Sequence, residues 1–161
     1  EHPRPGQRHA LQKLVQRRKR DADEPARNAL YGDGRLPADD LVVGVEANGA
    51  FAGFHIDAVA AAGGVVNGEV GGVTVVVIYD SSTNTGIAYK RTVDGQVLAF
   101  SAAESANLVL VDHASGSQWN KSTGRALTGD MKGTTLEFAT SFISAWYGWS
   151  AYHPQTALYA D

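Results

Sequence analysis

The 161-residue chain contains no cysteine, which excludes a disulfide, a zinc–thiolate centre and a thiol nucleophile. Long apolar runs are missing too: none approaches the roughly 20 residues a membrane-spanning helix needs. No serine sits in a Gly-x-Ser-x-Gly elbow, so the strand-to-helix nucleophile of the serine hydrolases is absent. The glycine pairs at 63–64 and 71–72 flank apolar β-branched stretches and do not open a helix, so no phosphate-cradling loop is present.

Charge is plentiful but unevenly placed. Residues 1–20 hold seven of the 14 Lys and Arg (Arg4, Arg8, Lys13, Arg17, Arg18, Lys19, Arg20) and one of the 17 acids, so a +6 segment precedes a remainder at −9. Residues 7–20 are good helix formers, with Leu11, Leu14 and Val15 on one face. For Arg17–Arg20 three readings stand side by side: a solvated helix end complementing the macrodipole, a dock for an acidic partner or anionic lipid, and a dibasic processing site. Nucleic acid is not expected as a partner, because the acidic remainder repels phosphate and the dense basic run is four residues long. The division expected is a basic N-terminal arm and linker over residues 1–38 and a β-rich globular domain over 39–161.

The centre of the chain is residues 73–79, Val-Thr-Val-Val-Val-Ile-Tyr. Side chains branched at Cβ lose χ1 freedom in a helix, and a short apolar run between glycines reads as a strand buried on both faces. Around it, Asn48-Gly49 and Asp94-Gly95 supply the φ > 0 pairs of tight hairpins. Asn67-Gly68 reads as a further small reversal, and residues 57–62 as one helical turn. Strands are expected at 107–112, 118–120, 125–128 and 134–138. Residues 141–152 read as a closing helix, with Phe142, Trp146 and Trp149 at intervals of three or four and His153-Pro154 ending it. The fold class expected is mainly β: an antiparallel sandwich or barrel-like sheet with a C-terminal helix and a basic N-terminal helical arm.

Several segments together resemble a prokaryotic family, domain-of-unknown-function family 3179. They are residues 41–46 with Asn48-Gly49, Val65-Val66-Asn67 with Gly71-Gly72 and the strand to Tyr79, Asn107-Leu108-Val109, Asp112, Ser117-Gln118-Trp119, Thr123-Gly124, Gly133-Thr134, Trp146, Trp149, His153-Pro154 and Thr156. The resemblance covers residues 39–158 and implies the family's fold. The chain departs from the pattern at three places. Relatives follow the strand's tyrosine with Cys-Pro-Leu-Cys-Gly, where this chain has Asp80-Ser81-Ser82-Thr83-Asn84. They carry His-Glu where it has Gly63-Gly64, and Asp-Arg where it has Asp112-His113. A metal or redox site built from those cysteines and that histidine is therefore beyond this chain, since neutral hydroxyls replace thiolates as neither soft ligands nor ready nucleophiles.

The candidate pocket residues are Asn67, Tyr79, Asp80, Asp112, His113 and Trp119, gathered at the end of the central strand, where a polar loop is a natural place for a site. Adjacent strand residues point to opposite faces, so Asp112 and His113 are not expected to act together. His55 and Asp57 share strand parity and can pair, but two ligands are too few for a transition-metal site. Ser81, Ser82 and Thr83 lack a neighbouring base and are accounted for by turn hydrogen bonds. Among Trp146, Tyr147, Trp149 and Tyr152 the two tryptophans are expected in the core and the two tyrosines outside. Asn120-Lys121-Ser122 is a glycosylation sequon.

The function these features favour is a non-catalytic accessory subunit that docks onto a larger protein assembly, free or membrane-associated, through Arg8, Lys13, Arg17, Arg18, Lys19 and Arg20, the partner being protein or an anionic membrane surface. No catalytic residue, metal or cofactor is expected. The chain starts at Glu1 and not at Met, from which processing or trimming is expected, and with the family resemblance an extracytoplasmic location. The alternative is a metal- or small-ligand-binding, enzyme-like domain with its site at the end of the central strand.

Overall fold

The computed structural model describes residues 33–103 and 109–160. The arm residues Arg8, Lys13, Arg17, Arg18, Lys19 and Arg20 lie outside the described residues, as do Asn107 and Leu108. The chain divides into two compact units, one of Glu1–Asp40 with Ala145–Pro154, the other of Leu41–Ser144 with Gln155–Asp161.

The larger unit is mainly β. Strands β1 (Leu41–Ala47) and β2 (Ala50–His55) form the expected hairpin. Asn48 and Gly49 take φ of 50° and 73°, the left-handed pair that matches the right-handed twist of the strands they join. A short helix α1 (Ile56–Ala61) follows. Then come β3 (Val65–Val70), β4 (Val73–Asp80) and β5 (Thr85–Lys90), an antiparallel meander. The reversal expected at Asn67-Gly68 does not occur. Both residues lie inside β3, opposite Val76 and Val75, and Gly71-Gly72 makes the turn. Asp94-Gly95 joins β6 (Thr92–Val93) to β7 (Gln96–Val97) as expected. β8 (Phe100–Ala102), β9 (Val109–Asp112) and β10 (Gln118–Asn120) form a three-stranded sheet. The strands expected at 125–128 and 134–138 reduce to the isolated bridges Trp119–Ala126 and Arg125–Thr135, followed by β11 (Phe138–Ala139).

β4 is the structural axis of this unit. Its alternation sends Val75 and Val77 into one core and Val76 and Ile78 into another. The first core packs Val43, Val45, Phe54 and Val59 against that face. The second packs Leu98, Phe100, Leu110 and Trp119 against the opposite face. All four β4 side chains are at most 2% exposed, and each such burial stabilises the fold by roughly 1.5–3 kcal/mol. The central sheet, ordered β11-β5-β4-β3, thus serves two cores, with the sheet β12-β1-β2-β13 contributing to the first and β8-β9-β10 to the second, where β12 is Ser141–Ala145 and β13 is Ala157–Tyr159. The sheets are not closed into a barrel, and β13 joins β2 in parallel while the other registered pairs are antiparallel.

The expected closing helix over 141–152 is half right. Residues 141–145 extend as β12, and the helix α2 occupies only Trp146–Tyr152. In the smaller unit Trp146 and Trp149 are buried and Tyr152 is exposed. Trp146 donates its indole N–H to the Asp33 carbonyl at 3.3 Å, and its backbone N–H to Asp40 at 2.7 Å. The Arg35 guanidinium lies 5.1 Å from the Trp146 ring and bonds the Asp33 carboxylate at 3.0 Å, which holds that carboxyl below its ordinary range.

Candidate functional site

The six candidate residues go to different places. Asn67 is a stitch between sheets: its side-chain amide donates to the Phe100 carbonyl and its carbonyl accepts the Phe100 N–H, both at 2.9 Å. A side chain here completes what a neighbouring strand would supply, and it ties β3 to β8.

Asp112 is fully buried. Its Oδ2 accepts the Trp119 indole N–H at 2.8 Å and its Oδ1 accepts the Ser115 backbone N–H at 2.6 Å. The Ser115 hydroxyl donates to the same carboxylate and lies 2.7 Å from the Ser117 hydroxyl, which in turn accepts the Met131 N–H at 3.2 Å. Burial alone raises a carboxyl's pKa, but the donors from Trp119, Ser115 and the backbone of Ala114 outweigh it, and the Asp112 carboxyl titrates below its ordinary value. Trp119 stands edge-on to Phe100 with ring centroids 5.6 Å apart. His113 lies in the turn after β9, is exposed and has no part in this network. Asp112 and Trp119 therefore form a closed interior pair that locks the 112–117 turn onto the second core.

Tyr79 and Asp80 do line an open cleft, of about 370 Å³, together with Gly63, Gly64, Ser81, Ser82 and Lys121. Asp80 Oδ1 accepts the Ser82 N–H at 2.9 Å and the Ser82 hydroxyl at 2.6 Å, and these bonds lower its pKa, with a smaller contribution from the Lys121 charge. The Tyr79 hydroxyl donates to Asn84 at 2.8 Å. A second hollow of about 230 Å³ adjoins the same two charges and is walled by Ile78, Ile87, Thr83 and Thr85. Lys121 is the residue sequence reasoning missed, noted there only as the middle of the sequon. Its turn is held in place from below: the buried Tyr89 donates its hydroxyl to the Lys121 carbonyl at 2.8 Å, and Asn120 Oδ1 accepts the Ser122 N–H at 2.8 Å.

Gly63-Gly64 and residues 80–82 line the same cleft. Gly64 has φ of +83°, and a Cβ there would stand 2.8 Å from the Tyr79 carbonyl oxygen. A side chain at 64 requires a different backbone, since only glycine takes this conformation without strain. His55 and Asp57 pair at 3.7 Å, with Asp57 carried on α1 and not on a strand.

The family model described as a protein of unknown function, DUF3179, matches residues 21–160. The chain belongs to the DUF3179 family. No curated protein and no solved structure matches it. Within this DUF3179 chain the cleft carries one carboxylate, one ammonium and a set of hydroxyls, groups suited to hydrogen bonding and charge recognition. Among the described residues no helix is long and apolar enough to cross a membrane.

Proposed function

We propose that this DUF3179 protein is a non-catalytic accessory subunit that binds and docks, and that its basic N-terminal arm attaches it to a larger protein assembly outside the cytoplasm. The observation that carries this reading is the cleft at the end of β4. The two stretches where the family resemblance implies thiols and an imidazole line it together, and in this chain they supply Gly63, Gly64, Asp80, Ser81 and Ser82. Thiolates and imidazoles act as nucleophiles and proton-transfer groups near neutral pH. A carboxylate bonded by Ser82 and a row of hydroxyls with no base bonded to them offer hydrogen bonding and charge recognition instead. The charge split supports the docking half, since a +6 segment beside a −9 body suits electrostatic steering onto an acidic surface.

Native size measurement tests it. The full chain purified from its own cells should migrate far above its 17.0 kDa mass, and replacing Arg17, Arg18, Lys19 and Arg20 by Ala should return it to the monomer position. Migration of the unaltered protein at monomer size, or in a large assembly that ignores the substitutions, overturns the docking role. Anionic vesicles added to the protein distinguish a lipid surface from a protein partner.

A further inference from the structure

The geometry points to the Asp80–Lys121 cleft as a binding site for a small zwitterion with an apolar tail: a free α-amino acid carrying an aliphatic side chain. This goes beyond the docking role and needs nothing from the arm. Two opposite charges share the walls of both hollows, and among the described residues neither Asp80 nor Lys121 forms an ion pair. Asp80 Oδ1 takes both Ser82 bonds, which leaves Oδ2 for a ligand donor. Lys121 makes no side-chain hydrogen bond among the described residues, although its backbone is fixed by Tyr89. The two charges thus line one cleft, with Lys121 acting on the Asp80 carboxyl through its charge and no ion pair between them.

A ligand that fits must satisfy both signs. A simple anion would gain Lys121 but meet Asp80, and a simple cation would meet the reverse. An α-amino acid at neutral pH carries an ammonium and a carboxylate on one carbon, so the ammonium can sit on Asp80 Oδ2 and the carboxylate on Lys121 with the Ser81 hydroxyl. The tail then enters the smaller hollow against Ile78 and Ile87, where covering apolar surface adds affinity. The larger hollow, at about 370 Å³, is within the size range of small-ligand sites, and the smaller one, at about 230 Å³, adjoins it.

Calorimetric titration of the full chain with leucine tests this. Leucine should bind, while leucine amide, lacking the carboxylate, and N-acetyl-leucine, lacking the ammonium, should each bind at least about tenfold more weakly. Lys121→Gln should lose leucine by a similar factor and stop distinguishing it from the amide. Asp80→Asn should stop distinguishing it from the acetyl form. Asn retains the oxygen that accepts the Ser82 bonds, and an unchanged urea midpoint confirms that either variant is folded. No heat with leucine, isoleucine or valine up to about 10 mM overturns the proposal, as does either blocked analogue binding as tightly as leucine, or a preference for glucose over leucine. An inert arm with intact leucine binding would sink only the docking role.

Discussion

Asp112 and Asp80 invite comparison, because each ends a strand, each has its pKa lowered by hydrogen bonds, and they serve opposite ends. Asp112 spends both oxygens on Trp119 and Ser115 inside a sealed core. Asp80 spends one oxygen on its own loop at the rim of a cleft. A buried carboxylate whose lone pairs are satisfied internally has nothing left to offer a ligand. One that is half satisfied, beside an ammonium with no ion-pair partner among the described residues, has. A depressed carboxyl pKa therefore does not mark a site by itself, and what distinguishes the two residues is where the remaining lone pairs can reach.

The sharpest way to break the comparison is Asp112→Ala. It strands the Trp119 indole N–H and the Ser115 donors in the interior and should cost about 3–4 kcal/mol in urea unfolding; a loss under about 1 kcal/mol would mean the network is ornamental. Gly64→Ala strains the cleft backbone against the Tyr79 carbonyl and should cost about 2 kcal/mol, measured the same way. Asn67→Ala cuts both bonds to Phe100 and should cost about 1–2 kcal/mol. It should also speed hydrogen exchange at the Phe100 amide, which a purely surface asparagine would leave alone.

Acid separates the two aspartates more finely. The Asp112 carboxyl has a folded pKa below its ordinary 3.8. Its contribution to stability is therefore fully present above that ordinary value and is lost as pH falls through the depressed folded one. Asp112→Asn should flatten the acid limb of stability against pH below about 4, and an unchanged limb would show that other carboxylates set it. At the small end, Asp80→Asn should leave the neutral-pH urea midpoint unmoved, because the group is exposed and its Ser82 bonds survive. A clear drop would place Asp80 with Asp112 as a structural residue.

Much of the β framework was legible in the chain. The dipeptides Asn48-Gly49 and Asp94-Gly95 named two hairpins, because left-handed φ at paired positions is a local requirement. The burial of residues 75–78 followed from β-branching and the lack of polar interruption. Asn67-Gly68 misled because the same local signal was overruled by pairing with Val76 and Val75, and Gly71-Gly72 supplied a better turn three residues on. Residues 141–145 misled because the helical spacing of Phe142, Trp146 and Trp149 begins inside a stretch that β1 recruits as an edge partner.

The candidate site was legible in half. Tyr79 and Asp80 belong to one strand end, and the polar loop that follows the buried run marked them. Lys121 left no mark, because nothing in a sequence brings the turn after β10 beside the end of β4. Asn67, Asp112 and Trp119 stood out as polar or aromatic residues at strand positions, the same appearance whether such a residue faces a ligand or bonds its neighbours.

The sequence by itself determined the strand-rich class, the doubly buried axis and the absence of sulfur chemistry, since side-chain branching, turn dipeptides and composition act locally or by simple exclusion. Tertiary structure alone decided which carboxylate is sealed and which is open, because satisfying a lone pair depends on donors that arrive from distant parts of the chain.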